Sequence, residues 1–323
     1  MIERPSYILF ITDQQRYDHL GCNGHPVLKT PNIDAIADEG VTYDRFYVAS
    51  PVCMPNRASL MTCRMPSSHG VRSLGIPLSH DNVTFVELMR AAGYDTALIG
   101  KSHLQNVTDW PHKLDPQEPR DGFAAPPDDL AVAIRSDLDN GTYQYEREAF
   151  FEDETAEVPL PFYGFDKYVA VTRHGFNTGG DHARHVRTTA PDAFAQRGRT
   201  NQFAHDYTCP QAIRTKVPEE QYSTSYIADR TCEFLESRRG NPTPFLLMVS
   251  FPDPHHPFTP PGKYWDMYKP EDMEIPSAYT ADDWDAPDYV TIAEKNRAAD
   301  PSLGQMSGYS VAVSAREAQE ARA

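Results

Sequence analysis

The sequence predicts an α/β fold with a mostly parallel central sheet flanked by helices. Three observations predict it. Short, continuous apolar runs, "SYILFIT", "DTALIG" and "PFLLMVSF", have the length of strands and lack the alternation of a half-solvated sheet, which marks strands buried on both faces. Amphipathic segments with helix stop signals separate them. The order is strand, helix, strand, helix, which is the pattern of parallel α/β folds.

Taken in order, Tyr7–Thr12 forms the first strand. "TPNIDAIADEG" opens with Thr-Pro-Asn, spaces Ile33, Ile36 and Ala37 as a helix does, and stops at Gly40. "VTYDRFYVA" alternates and reads as a strand, and Ala58 to Met61 reads as part of a short helix. "DNVTFVELMRAAGY" carries an Asp or Asn cap, apolar Phe85, Leu88 and Met89, and a terminating Gly93 before "DTALIG". Residues 105–220 are rich in Pro, Asp, Gly and His and show little periodicity, so they read as a loop-rich insertion over the active-site end of the sheet. "STSYIADRTCEFLESRRG" is an amphipathic helix with Ile227, Phe234 and Leu235 inward, and "PFLLMVSF" is a central strand. The whole of 1–323 reads as a single α/β domain, with no internal repeat.

The formal net charge of −16 argues against nucleic acid and anionic membranes as partners, although a local cluster of cations can still bind an anionic substrate. No apolar run reaches the length of a membrane span, and the N-terminal run is too short for a secretory signal, so a cytoplasmic location is expected. Five cysteines, at 22, 53, 63, 209 and 232, form no CxxC pair, which argues against a disulfide framework or a zinc knuckle.

Open α/β sheets present functional residues at the C-terminal ends of their strands. Polar groups stand at four such ends here: Asp13 with Gln14; Cys53; Lys101 with His103; and Asp253 with His255 and His256. Singly, each has a plain structural explanation as a helix cap, a small core residue, a solvated cation or a turn. Four together point to a site.

At these residues the chain resembles the sulfatases of the alkaline-phosphatase-like hydrolases. Cys53-Met54-Pro55-Asn56-Arg57 followed by "ASLMTCR" is similar to the sulfatase signature Cys-x-Pro-Ser-Arg-x-x-x-Leu-x-Thr-Gly-Arg. "DQQRYDHLGCNG", "TPNIDAIADEGVTYDRFYV", "GYDTALIGKSHL" and "SFPDPHHPFTPP" resemble the family in the expected order. The resemblance covers residues 6–104 and about 222–280, and is weak across the insertion. It implies that Cys53 is oxidised to formylglycine by a formylglycine-generating enzyme that reads Cys-x-Pro-x-Arg. The hydrated aldehyde then serves as a nucleophile activated by a divalent cation. Asp13 matches a metal carboxylate, and Gln14 stands where most sulfatases have a second Asp. Arg57 would hold the nucleophile, Lys101 and His103 the ester oxygens and nucleophile, and His255 the leaving-group oxygen, with His256 as its alternate. The implied metal ligands are thus Asp13, Gln14 and modified Cys53, and Lys101, His255 and His256 would bind substrate. The expected cation is Ca²⁺, with Mn²⁺ as the alternative.

The expected reaction is hydrolysis of a small sulfate ester. The alternatives are phosphonate monoester or phosphodiester hydrolysis, which Gln14 favours, and a catalytically incomplete fragment. Two departures from the signature are Asn56 for Ser and Cys63, expected to replace a packing glycine. A second metal pair in an "SDHG"-like stretch is missing, and the last residues, "SAREAQEARA", read as an unterminated helix, so the domain is expected to be C-terminally truncated. An unpaired sheet edge leaves a homo-oligomer open. In the insertion, His174, Asn177, His182 and His205 are expected mostly as ordinary loop residues, with lining of a substrate pocket as the alternative.

Overall fold

The computed structural model describes residues 4–108, 141–275, 287–305 and 314–323. Its elements, in order, are β1 (Tyr7–Ile11), α1 (Pro31–Glu39), α2 (Cys53–Thr62), α3 (Pro66–His69), α4 (Phe85–Ala91), β2 (Asp95–Gly100), α5 (Glu148–Glu152), β3 (Lys167–Ala170), α6 (Gly180–Thr189), α7 (Pro191–Ala195), α8 (Ser223–Ser237), β4 (Phe245–Ser250), α9 (Asp288–Ala299) and α10 (Ala315–Arg322). The four strands pair in parallel in the order β1-β4-β2-β3. This is the predicted α/β architecture.

The apolar runs of β2 and β4 point alternate side chains to opposite faces. Leu98, Leu246 and Met248 meet Met54, Ala58 and Met61 of α2 and Val86 of α4. Ala97, Ile99, Leu247 and Val249 meet Ile227 and Phe234 of α8. Both faces are therefore covered, as parallel strands require. At the top of β2, Gly100 has φ +113°. A Cβ there would lie 1.9 Å from the Ser250 carbonyl oxygen, so only glycine lets the two strand ends run this close.

Several local expectations are corrected. β1 is an edge strand rather than one buried on both faces: Tyr7, Ile8 and Phe10 are exposed, and among the described residues β1 pairs only with β4. "VTYDRFYVA" forms no strand. Val41 to Val48 are exposed, and the backbone has no ladder partner among the described residues; alternation sets the faces of a strand but does not supply the second strand. The cap of α4 is Thr84, not Asp81 or Asn82: it forms a capping box in which Thr84 Oγ1 accepts from Glu87 N at 3.2 Å and Glu87 Oε2 accepts from Thr84 N at 2.7 Å. The insertion is not only loop. It supplies β3, paired to β2, and helices α5 to α7; its residues 109–140 lie outside the described residues.

Cys63 follows α2 in the left-handed region, at φ +53°, ψ +32°. Its place in the signature is thus a helix C-terminal cap rather than a packing site. A Cβ in that conformation costs on the order of 1 kcal/mol that glycine avoids. Cys63→Gly should raise unfolding stability by about 1 kcal/mol, measured by urea denaturation. An unchanged midpoint would show that the cap is not strained.

Candidate functional site

The C-terminal ends of β1, β2 and β4 converge. Phe251 N donates to the Ile11 carbonyl at 2.8 Å, Asp13 N to the Asp253 carbonyl at 3.0 Å, and Lys101 N to the Ser250 carbonyl at 2.9 Å. These bonds hold the residues just beyond each strand against one another. Cys53 sits in the first turn of α2, whose free N–H groups favour negative charge.

Asp13 is the buried centre. Its Oδ2 accepts from the Lys101 ammonium, with Arg57 Nη2 at 3.5 Å and His174 Nε2 at 3.5 Å. Burial alone would push its carboxyl up, but the His174 contact and the fields of Lys101 and Arg57 hold it well below the usual carboxylate range. Arg57 is fixed from two further sides, donating to the Lys101 carbonyl at 2.7 Å and to Ser250 Oγ at 2.8 Å. The Lys101 side chain is 1% exposed. Burial lowers its pKa while Asp13 raises it, and the field of Cys53 also reaches it.

The imidazoles complete the cluster. His174 stacks on His255 with centroids 3.6 Å apart and planes 8° from parallel. Its Nε2 also meets the Lys101 ammonium. Burial, followed by the field of Lys101, lowers its pKa to about 3. His255 Nδ1 donates to the His256 carbonyl at 2.5 Å, which leaves Nε2 as the basic nitrogen, and burial lowers its pKa too. His256 is buried behind His255, with ring centroids 4.2 Å apart and a pKa lowered by burial to about 4. His103 is fully buried at φ +56°, and its Nδ1 finds no hydrogen-bond partner among the described residues.

The structure therefore brings together Asp13, Arg57, Lys101 and His255 from the sequence-predicted set, with Cys53 and His103 beside them. Among the described residues, Asp13, His174 and His255 have ligand atoms within 4.8 Å of one another, which adds two imidazoles to the expected Asp13 carboxylate. One carboxylate and two imidazoles fit a divalent ion that accepts nitrogen and oxygen donors. They fit less well to Ca²⁺, which takes six to eight oxygens.

Two further residues contribute: His174, which the sequence suggested first as a loop residue and only alternatively as pocket lining, and Glu146, which it did not single out. His174 follows β3, so the strand-end rule applies to it, but β3 is short and lies inside the loop-rich insertion. Gly175, at φ +52°, seats the His174 turn: a Cβ there would lie 2.6 Å from the Pro257 carbonyl oxygen. Glu146 is buried, and its carboxylate accepts from the backbone N–H groups of His103, Leu104 and Gln105 at 2.7, 2.8 and 2.7 Å. It fixes the loop that carries Lys101 and His103, and no sequence motif marks it. The other insertion residues are structural. His182 Nε2 donates to the Gln221 carbonyl at 3.0 Å and Nδ1 accepts from Thr178 Oγ1 at 3.2 Å. His205 bonds Gln202 Oε1 at 2.9 Å, and Asn177 ends a single helical turn.

The sequence model of the sulfatase family matches residues 5–152. The chain is 27% identical over 275 residues to an ulvan-active sulfatase of Formosa agariphila, covering 84% of this chain and 39% of that protein. It is 28% identical over 278 residues to an arylsulfatase of Clostridium perfringens, covering 84% and 48%. It spans less than half the length of these curated relatives. Among solved structures, the phosphonate monoester hydrolase of Agrobacterium radiobacter superposes with a TM-score of 0.64 at 22% identity, covering 99% of this chain and 55% of that one, a likeness of fold. No helix among the described residues is long and apolar enough to cross a membrane.

His182 yields a pH prediction. Burial first lowers its pKa to about 4, against about 6.5 in the unfolded chain. Between those values the unfolded state binds a proton that the fold refuses, so stability is full above pH 6.5 and falls as the pH drops towards 4. His182→Gln should reduce the stability lost between pH 7 and 5 by about 2 kcal/mol. An identical pH profile in wild type and variant, by thermal or urea unfolding, would contradict this.

Proposed function

We propose that this chain, whose residues 5–152 match the sulfatase family model, is a sulfatase of the alkaline-phosphatase-like superfamily and hydrolyses a small sulfate ester at the cluster beyond β1, β2 and β4. The observation that carries the reading is the convergence of Arg57, Lys101, His174 and His255 on Asp13 beside Cys53. An ester sulfate is a compact anion, and buried donors aimed at one point are what stabilise charge developing on its oxygens.

The chain's residues divide the work. Arg57 is immobile, tied to Lys101 and Ser250, and presents a permanent charge beside the Cys53 position. Lys101, deprived of water, offers an ammonium to the sulfuryl oxygens. His255, with Nδ1 committed to the His256 carbonyl, keeps Nε2 free to carry a proton at the leaving oxygen. Formylglycine at position 53, once formed, supplies a hydrated aldehyde as nucleophile. A divalent ion held by Asp13 and His174, with Gln14 as a neutral oxygen donor nearby, would lower the pKa of an oxygen bound to it. The fit of this donor set favours an ion such as Mn²⁺ over Ca²⁺.

A second reading, phosphonate monoester hydrolysis, is supported by the likeness of fold to the phosphonate monoester hydrolase of Agrobacterium radiobacter; its substrate, like a sulfate monoester, is a compact single anion.

Co-expression with a formylglycine-generating enzyme, followed by aldehyde-specific labelling and peptide mass spectrometry, should label the Cys53 peptide alone, and Cys53→Ala should abolish the label. In the labelled protein, 4-nitrophenyl sulfate should be cleaved, and Lys101→Ala should lower kcat/KM at least about a hundredfold. An unlabelled Cys53, or Lys101→Ala at wild-type kcat/KM, would overturn the reading. Faster cleavage of a phenyl phosphonate monoester would decide for the second one.

A further inference from the structure

From the ends of β1 and β4 a cavity of about 740 Å³ opens past Gln14, Asp253 and His255, within the size range of sites that enclose small organic ligands. Six aromatic residues line it: Tyr207, Tyr222, Phe258, Tyr264, Trp265 and Tyr268. Their arrangement makes the lining apolar. Tyr222 Oη is bonded to Asp253 Oδ1 at 3.0 Å and Thr259 Oγ1 at 2.7 Å. Tyr264 Oη donates to Glu219 Oε1 at 3.0 Å, and Tyr268 Oη accepts from Lys29 N at 3.0 Å. Three of the four tyrosine hydroxyls are thus taken by the protein, and ring surface is what remains for a ligand. Tyr207 and Trp265 lie against each other with centroids 4.8 Å apart and planes inclined by 33°, which gives a broad aromatic wall.

The charges of the lining balance. Arg16, Lys29 and Arg322 stand against Glu219, Asp253 and Glu320. Arg16 is tied to Asp18 at 2.7 and 2.8 Å, and Glu219 to Lys263 at 3.2 Å. A polysulfated saccharide needs a surplus of cations beyond the one sulfate being cleaved, and the chain as a whole carries −16.

We propose that this cavity is the subsite for the alcohol part of the ester, and that it selects a neutral, planar, hydrophobic alcohol of two or more fused rings over a charged sugar. Calling the occupant the leaving alcohol rests on the hydrolase reading above; the binding preference itself does not, because the free alcohol needs no nucleophile and no metal.

Calorimetric titration of the 323-residue chain with 2-naphthol and with glucosamine, neither of which carries the sulfate assigned to the Lys101 cluster, tests it. Naphthol should bind at least about tenfold more tightly, and Trp265→Ala and Tyr264→Ala should each weaken it by about tenfold, the scale of losing one stacked aromatic wall. Tyr264 is partly exposed at the rim, so its truncation keeps the test valid if Trp265→Ala fails to fold; circular dichroism monitors both. Equal or tighter binding of glucosamine, or unchanged naphthol affinity in folded variants, would overturn the proposal. Naphthol binding in a chain without ester turnover supports the cavity assignment while removing the hydrolysis reading; a glucosamine preference in a chain that does turn esters over overturns the assignment alone.

Discussion

The Asp13 carboxylate, buried against Lys101, Arg57 and His174, is the interaction on which the rest of the site depends. An ammonium and a guanidinium cannot both be taken out of water at the end of a sheet unless an anion meets them. Asp13 is that anion, and its position follows from backbone geometry. The β1–β4–β2 ladder places residues 13, 101 and 253 side by side, and Gly100 allows the close approach of β2 and β4. The same convergence concentrates positive charge next to the mouth of α2, where an anionic substrate and a nucleophile at position 53 would meet. An apolar sheet centre thus ends in a polar, water-poor site.

The long segment between β2 and α8 builds this site rather than merely covering it. Glu146 satisfies three consecutive backbone N–H groups of the loop after β2, which fixes the path of Lys101 and His103. β3 extends the sheet and delivers His174 to the ring of His255. α10 closes the far side, with Glu320 accepting from the N–H groups of Thr208 and Cys209, each at 2.7 Å. The aromatic cavity lies between that side and the strand ends, so the reactive cluster and its hydrophobic annex share His255 as a common wall.

How much of this was legible in the sequence depended on whether the signal was local. Apolar runs named β1, β2 and β4, and the strand-end rule then named Asp13, Lys101 and His255. The same rule applied to "KYVAVTRH" would have found His174, but a four-residue strand amid proline, glycine and histidine gives too little periodicity to stand out. "VTYDRFYVA" shows the opposite failure: its alternation is real, yet a strand exists only where another backbone pairs with it. Glu146 was illegible because its role is to meet N–H groups 41 to 43 residues away, a purely tertiary fact. Cys63 was misread because the glycine of the signature answers to backbone handedness rather than to packing volume.

The central claim is that Asp13 and Lys101 are energetically one unit, and a double-mutant cycle on unfolding stability tests it most directly. Asp13→Asn should destabilise by about 3–5 kcal/mol because it leaves the Lys101 ammonium buried without its anion. Adding Lys101→Met should recover part of that loss, giving a coupling of at least about 2 kcal/mol. Additivity within about 0.5 kcal/mol, or a neutral Asp13→Asn, would contradict the account.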